Sequence, residues 1–302
     1  MSKLAIWVRT ARLRTLPLSV SGIIFGAGLV AESATFPWLL FVLCLFITIG
    51  FQVTSNFAND YGDGVKGTDD ETRVGPSRAI QTGALKPKEL LRGIYWSSGI
   101  SIALVLVLLW KAFSVDQLPL IVLFFALALI SVGGALKYTM GKNPYGYQGL
   151  GDISVLLFFG LLAVWGTRYV LTQSWNTIEI LPAFGIGLLC TAVLNLNNLR
   201  DHQSDKAHGK NTLVVQNGFE WGRRYHYSLL VGSLICFLGY LFITEAAPLI
   251  YLMLFPYLIL SLHLRRVASA VDPARLDPEL KVVALSTFFL SLSFFLLKAL
   301  FS

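Results

Sequence analysis

The chain is 302 residues long, 55% hydrophobic and only 14% charged, with a mean hydropathy of +0.66. A water-soluble globule carries roughly 25% charged residues, so the composition excludes one. The net charge of +7 invites a nucleic-acid partner, but the basic residues lie in short segments between apolar runs, where they report membrane orientation instead.

Runs of about 18 or more apolar residues can cross a bilayer. Nine are predicted, at residues 15–31, 36–58, 91–110, 117–136, 150–171, 178–198, 226–244, 247–264 and 282–300. The seventh and eighth are split only around Glu245, and fused they would leave eight. The expected fold is all-α: a polytopic membrane protein of nine transmembrane helices in one bundle, a single domain over 1–302. With a cytoplasmic N-terminus, only Lys111, Arg168 and Lys298 among the basic residues fall outside. That is the positive-inside distribution, and it predicts a multi-pass protein of the cell's inner (cytoplasmic) membrane. Residues 1–34 imitate a signal peptide, ending Ala31-Glu32-Ser33-Ala34; the spans that follow make them a retained first helix.

Cys44, Cys190 and Cys236 each stand alone in an apolar run and read as small buried hydrophobes. His202, His208, His226 and His263 are too scattered for a zinc site. Chemistry concentrates in two longer polar segments, from Asp60 to about Leu90 and from about Leu199 to Arg224, both read as cytoplasmic loops. Asn56-x-x-x-Asp60 closes the second span and Asn197-x-x-x-Asp201 the sixth, 141 residues apart, each followed by another aspartate, Asp63 or Asp205. If the spans stay helical to their ends, Gln52, Asn56, Asn59, Asp60 and Asp63 share one face, as do Asn197, Asp201 and Asp205.

Carboxylates stacked near membrane depth are costly unless paired or coordinated. Two such faces in one bundle make a negative pocket, and Mg²⁺ suits it because it takes one or two carboxylates and completes its coordination with water and phosphate oxygens. Candidate metal ligands are Asn56, Asp60, Asp63, Asn197, Asp201 and Asp205, with Asp69 as a loop contribution and Asp70 solvated. Arg73, Arg78, Lys137, Lys142, Lys206 and Lys210 lie nearby in sequence. Cations beside a divalent metal on one side of a bilayer read as a diphosphate site.

Four blocks carry a family resemblance: NDYGDGVKGTD (Asn59–Asp69), GPSRAIQTGAL (Gly75–Leu85), GYQGLGD (Gly146–Asp152) and NNLRDHQSDKAHGKNTL (Asn197–Leu213). In order and placement they resemble the UbiA superfamily of intramembrane aromatic prenyltransferases, over essentially the whole chain. The branch most similar acts on 1,4-dihydroxy-2-naphthoate in menaquinone biosynthesis. The resemblance implies nine helices, two aspartate-rich motifs binding Mg²⁺ and an isoprenyl diphosphate, and catalytic roles for Asp60, Asp63, Asp201 and Asp205. One departure is that Gly64 stands four residues after Asp60, so the second acid of the first motif is Asp63 or Asp69. The second motif likewise ends at Asp205, with Gly209 four further on.

The implied reaction ionises an allylic diphosphate against preplaced positive charge and shields the allylic cation from water. The aromatic acceptor then attacks, losing CO2 to give demethylmenaquinone. Tyr138, Lys142 and Tyr145, with Arg14, are acceptor-side candidates. A long prenyl tail stays in lipid, since exposing it costs about 25 cal/mol per Å². Rival readings are another aromatic acceptor (4-hydroxybenzoate or homogentisate), a secondary transporter, whose site would lie nearer the midplane, and a phosphatidyl-alcohol transferase, for which Lys66-Gly67 stands where Ala-Arg belongs.

Overall fold

Helix boundaries follow the breakers in the sequence more closely than the edges of its apolar runs. The computed structural model describes residues 2–32, 35–67 and 78–301, and every regular element among them is helical. Asp69, Asp70 and Arg73 lie outside the described residues. α1 (Lys3–Thr10) starts at Ser2, whose hydroxyl accepts the Ala5 N–H at 3.3 Å. α2 (Leu16–Gly28) carries Pro17 in its first turn, where a missing N–H leaves no bond unmade. α3 (Trp38–Lys66), α4 (Pro87–Ala112) and α5 (Leu118–Lys137) follow. α6 (Gly151–Val155) passes through a π-wound stretch, Leu156–Gly166, into α7 (Thr167–Thr172) as one membrane-length helix. Then come α8 (Ile180–Ala207), the short α9 (Leu213–Asn217), α10 (Phe219–Ile243), α11 (Pro256–Ser269) and α12 (Asp277–Phe301).

Among the described residues, eight helices are long and apolar enough to cross a bilayer, and they match the second to ninth predicted spans. The seventh and eighth are separate, parted where Glu245 takes a left-handed φ of 50°. The first predicted span is realised as α2, with only 13 residues. At 1.5 Å per residue that is about 20 Å, short of a hydrocarbon core of about 30 Å. Its central residues are nonetheless buried, from Ser21 to Gly28, because α2 packs against α3, α8, α12 and the π-wound stretch.

The two polar segments begin later than hydropathy suggests. α3 runs on to Lys66, where Gly67 at φ 73° stops it, and α8 runs on to Ala207. Asp60, Asp63, Asp201 and Asp205 therefore stand on helices, not in loops. Hydropathy marks where apolar side chains end; these extra turns persist because their acids find partners. The core around them is aromatic and aliphatic: Phe25 of α2 stacks on Phe294 of α12 at 4.2 Å and lies 5.5 Å from Phe237 of α10. Ile186, Leu189, Leu196 and Leu199 of α8 are fully buried beside them. In a bilayer such close packing, rather than hydrophobic drive, holds helices together.

Candidate active site

The last turns of α3 bury two acids, Asp60 and Asp63, at 2% and 3% exposure. Burial at that level requires pairing. Asp60 is bound by the Arg12 guanidinium and lies 3.6 Å from Arg78 Nε. Asp63 Oδ2 accepts from Arg78 Nη1 at 2.8 Å, and its Oδ1 accepts the Tyr147 hydroxyl at 2.8 Å. Arg12 sits in the turn between α1 and α2 with a left-handed φ of 51°, a conformation that persists only where neighbours over-determine it. Asn56 supplies that constraint: its Nδ2 donates to the Ala11 carbonyl at 2.9 Å and to Thr15 Oγ1 at 3.2 Å, while its Oδ1 accepts from Gln52 at 3.2 Å. Asn56, read from sequence as a metal ligand, is occupied in posing Arg12.

Two glycines in this motif permit close approach. A Cβ at Gly62 would lie 2.6 Å from Thr139 Oγ1, whose hydroxyl donates to the Ala58 carbonyl at 3.0 Å. A Cβ at Gly64 would lie 2.8 Å from the Ile80 side chain. Gly64 therefore faces the segment that carries Arg78, which gives its departure from the acidic pattern a steric reason.

On α8 the acids are held locally. Arg200 grips Asp201 with two bonds, Nε to Oδ1 at 2.8 Å and Nη2 to Oδ2 at 2.6 Å. The same guanidinium donates to Asn197 Oδ1 at 2.7 Å and to Asp277, the first residue of α12. Asp205 pairs with Lys210 Nζ at 3.3 Å, and its buried Oδ2 has no hydrogen-bond partner among the described residues. Burial pulls the Lys210 pKa down, but the fields of Asp205, Asp63 and Asp201, with the Tyr147 hydroxyl, outweigh it and raise the pKa above the usual lysine range. One ammonium thus feels acids of both motifs.

The α5–α6 connection closes the gap between them. Tyr145 donates to the Gly134 carbonyl at 2.9 Å and meets Tyr138 edge-on at 5.4 Å. Burial, followed by the fields of Asp152 and of acids in both motifs, pushes the Tyr138 phenol above its usual range and keeps it neutral. Lys66 Nζ donates to the Thr139 carbonyl at 2.8 Å.

These groups form one end of a cavity of about 1060 Å³. Arg9, Arg12, Arg14, Asn59, Asp63, Arg78, Tyr138, Tyr145, Asn197, Arg200, Lys210, Asp277 and Lys281 line that end. Ile23, Ile47, Phe51, Leu108, Phe124, Phe158, Phe159 and Leu162 line the rest. Asp60, Asp201 and Asp205 lie behind the cations that face the cavity. Lys137, Lys142 and Lys206, named from sequence as diphosphate ligands, are exposed and do not line it. Arg12, Arg200, Asp277, Tyr147 and Lys281 were not singled out by sequence reasoning; Arg200 and Tyr147 lay inside the quoted motifs, beside the acids or between them.

Among the described residues no three acids cluster tightly enough to hold a metal alone. The Asp60/Asp63 and Asp201/Asp205 pairs, with the unpartnered Asp205 Oδ2, still fit a hard divalent ion that takes its remaining ligands from water and phosphate.

Buried carboxylates and guanidiniums at one end of a largely apolar cavity, inside an all-helical bundle of membrane-length helices, define an integral membrane protein with a charged site at one end of its bundle. The chain belongs to the UbiA prenyltransferase family, which matches residues 19–292. It is 43% identical over 294 residues to 1,4-dihydroxy-2-naphthoate octaprenyltransferase of Haemophilus influenzae, covering 97% of this chain and 95% of that protein. It is 40% identical over 283 residues to the protein of the same name in Escherichia coli K12, covering 93% and 91%. Two solved structures of a UbiA homolog from Archaeoglobus fulgidus share the fold. The one bound to DMAPP and Mg²⁺ has a TM-score of 0.64 at 17% identity, covering 95% of this chain and 99% of that one. The one bound to GPP and Mg²⁺ has 0.66 at 15%, covering 97% and 100%.

Proposed function

We propose that this protein transfers a polyprenyl group from an allylic prenyl diphosphate to 1,4-dihydroxy-2-naphthoate, releasing diphosphate and CO2 and giving demethylmenaquinol, the prenylated naphthalenediol that oxidises to demethylmenaquinone in a separate step. One observation carries the reading: two acid-bearing helix ends and four cations, Arg12, Arg78, Arg200 and Lys210, converge on the charged end of a cavity whose remaining lining carries no charge and is mostly apolar. The names of the relatives at 43% and 40% identity support the acceptor. The ligands of the archaeal neighbours support Mg²⁺ and a prenyl diphosphate.

Asp60, Asp63, Asp201 and Asp205 would hold Mg²⁺, which when bound neutralises diphosphate oxygens and favours departure of the leaving group. Arg12, Arg78, Arg200 and Lys210 turn their charge toward the same oxygens, so negative charge growing on the departing diphosphate meets donors already in place. Phe51, Phe124, Phe158 and Phe159 keep water from the allylic carbon and offer it aromatic faces. Arg14 and Lys281 line the same cavity and pair with no acid among the described residues, which suits them to the acceptor's carboxylate. Tyr138 and Tyr145 form the acceptor-side wall. The ring carbon bearing that carboxylate attacks; the electron pair of its bond to CO2 then restores aromaticity, so this carbon needs no base.

The same reading counts α2 as a ninth span packed inside the bundle. It puts the N-terminus and the acid-bearing helix ends at the cytoplasmic face of the inner membrane, where the basic residues gather. The test incubates purified enzyme, Mg²⁺ and a prenyl diphosphate with each aromatic acid in turn and weighs the products. A decarboxylated prenyl naphthalenediol, formed only with Mg²⁺, is expected. Product from 4-hydroxybenzoate alone would overturn the acceptor, and product without Mg²⁺ would overturn the mechanism.

A further inference from the structure

Tyr147 touches both acidic motifs without lining the cavity. Its hydroxyl donates to Asp63 Oδ1 at 2.8 Å. Its ring lies 4.4 Å from Lys66 Nζ, the last residue of α3, and 5.8 Å from Lys210 Nζ, which pairs with Asp205. Its carbonyl accepts the Asn211 N–H at 3.0 Å, on the connection that leaves α8. One half-buried residue thus meets the end of α3 through its side chain, by a hydrogen bond and a cation–π contact, and meets the α8 side through its ring on a second cation and through its own backbone carbonyl. Lys66 is fixed in turn by the Thr139 carbonyl at 2.8 Å.

We propose that Tyr147 is a positioning residue that sets the spacing of the two acid-bearing helix ends, so that one metal-bound diphosphate meets both. This rests on reading the site as a Mg²⁺–diphosphate site. A tyrosine that merely packs the loop would influence stability alone. A tyrosine that aims Asp63 and seats Lys210 influences metal and diphosphate binding in separable ways, because the hydroxyl serves the first and the ring the second.

Calorimetric titration of detergent-solubilised full-length protein with Mg²⁺, in the presence of inorganic diphosphate as a non-reacting probe, distinguishes the cases. Tyr147→Phe is expected to weaken Mg²⁺ binding roughly tenfold, the scale of one hydrogen bond to a charged group, while diphosphate affinity at saturating Mg²⁺ stays within about twofold. Tyr147→Leu is expected to weaken both. Equal Mg²⁺ titrations for wild type and Tyr147→Phe, with or without a lower melting temperature, would overturn the proposal even if Tyr147→Leu fails to fold. Failure of the wild type to bind Mg²⁺ with diphosphate would instead overturn the reading of the site on which it stands.

Discussion

Asn56 and Asn197 occupy matching places 141 residues apart, each four residues before an aspartate, yet they do different work. Asn56 ties α3 to the distant α1–α2 turn that presents Arg12. Asn197, among the described residues, accepts from Arg200, three residues along its own helix. The acids follow the same division. Asp60 and Asp63 are paired with residues from other segments, the cations Arg12 and Arg78 and the hydroxyl of Tyr147, whereas Asp201 is gripped by its sequence neighbour Arg200. One half of the site is assembled by tertiary structure and the other is nearly complete on one helix. Duplicated sequence does not mean duplicated construction.

That contrast can be broken at several places. The largest effect belongs to the acids themselves: Asp60→Ala and Asp201→Ala should each lower product formation about a thousandfold at saturating Mg²⁺, the scale of lost preplaced charge, read by mass analysis. Equal retention of activity in either variant would show that only one helix end works.

The counter-ions should then separate the halves. Arg200, 3% exposed at its side chain, holds Asp201, Asn197 and Asp277 together. Arg200→Met should cost about 3 kcal/mol of stability by stranding buried charge, seen in thermal unfolding in detergent. Arg12→Met leaves Asp60 beside Arg78, so it should spare stability and raise the KM for prenyl diphosphate roughly tenfold. The reverse pattern would contradict the division drawn here.

Smaller effects sharpen it further. Asn56→Leu removes the donor to the Ala11 carbonyl and should cost about 1–2 kcal/mol, with a several-fold higher KM; Asn197→Leu should cost less. Gly64→Asp restores an acid four residues after Asp60 but drives a side chain into Ile80, so activity should fall, not rise, roughly tenfold. The smallest effect concerns pH. Lys210 has a raised pKa, so the contribution of its charge is complete at neutral pH and is lost only as pH rises through that raised value. The ratio of diphosphate affinities between wild type and Lys210→Arg should stay flat from about pH 7 to about pH 9. A ratio that drifts would show Lys210 titrating in that window.

Much of this was legible in the sequence because membranes simplify the code. Apolar runs located all eight long helices, and helical spacing put Asp60 beside Asp63 and Asp201 beside Asp205. The legible part stopped where pairing is non-local. Nothing near Asp60 in sequence announces Arg12, 48 residues away, and its left-handed turn has no glycine to mark it. Lys137, Lys142 and Lys206 are near the acids along the chain, but their side chains are exposed and do not line the cavity. Tyr147 lay inside a quoted motif, but a tyrosine signals no partner until the fold brings Asp63 and Lys210 to it.

The central claim is that two differently built helix ends act on one ligand. A double-mutant cycle tests it: Mg²⁺-dependent binding of inorganic diphosphate to wild type, Asp63→Asn, Asp205→Asn and the double variant. Shared occupancy predicts strong coupling, with the double variant little weaker than either single one. Additive losses would mean two independent acidic sites and would contradict the account.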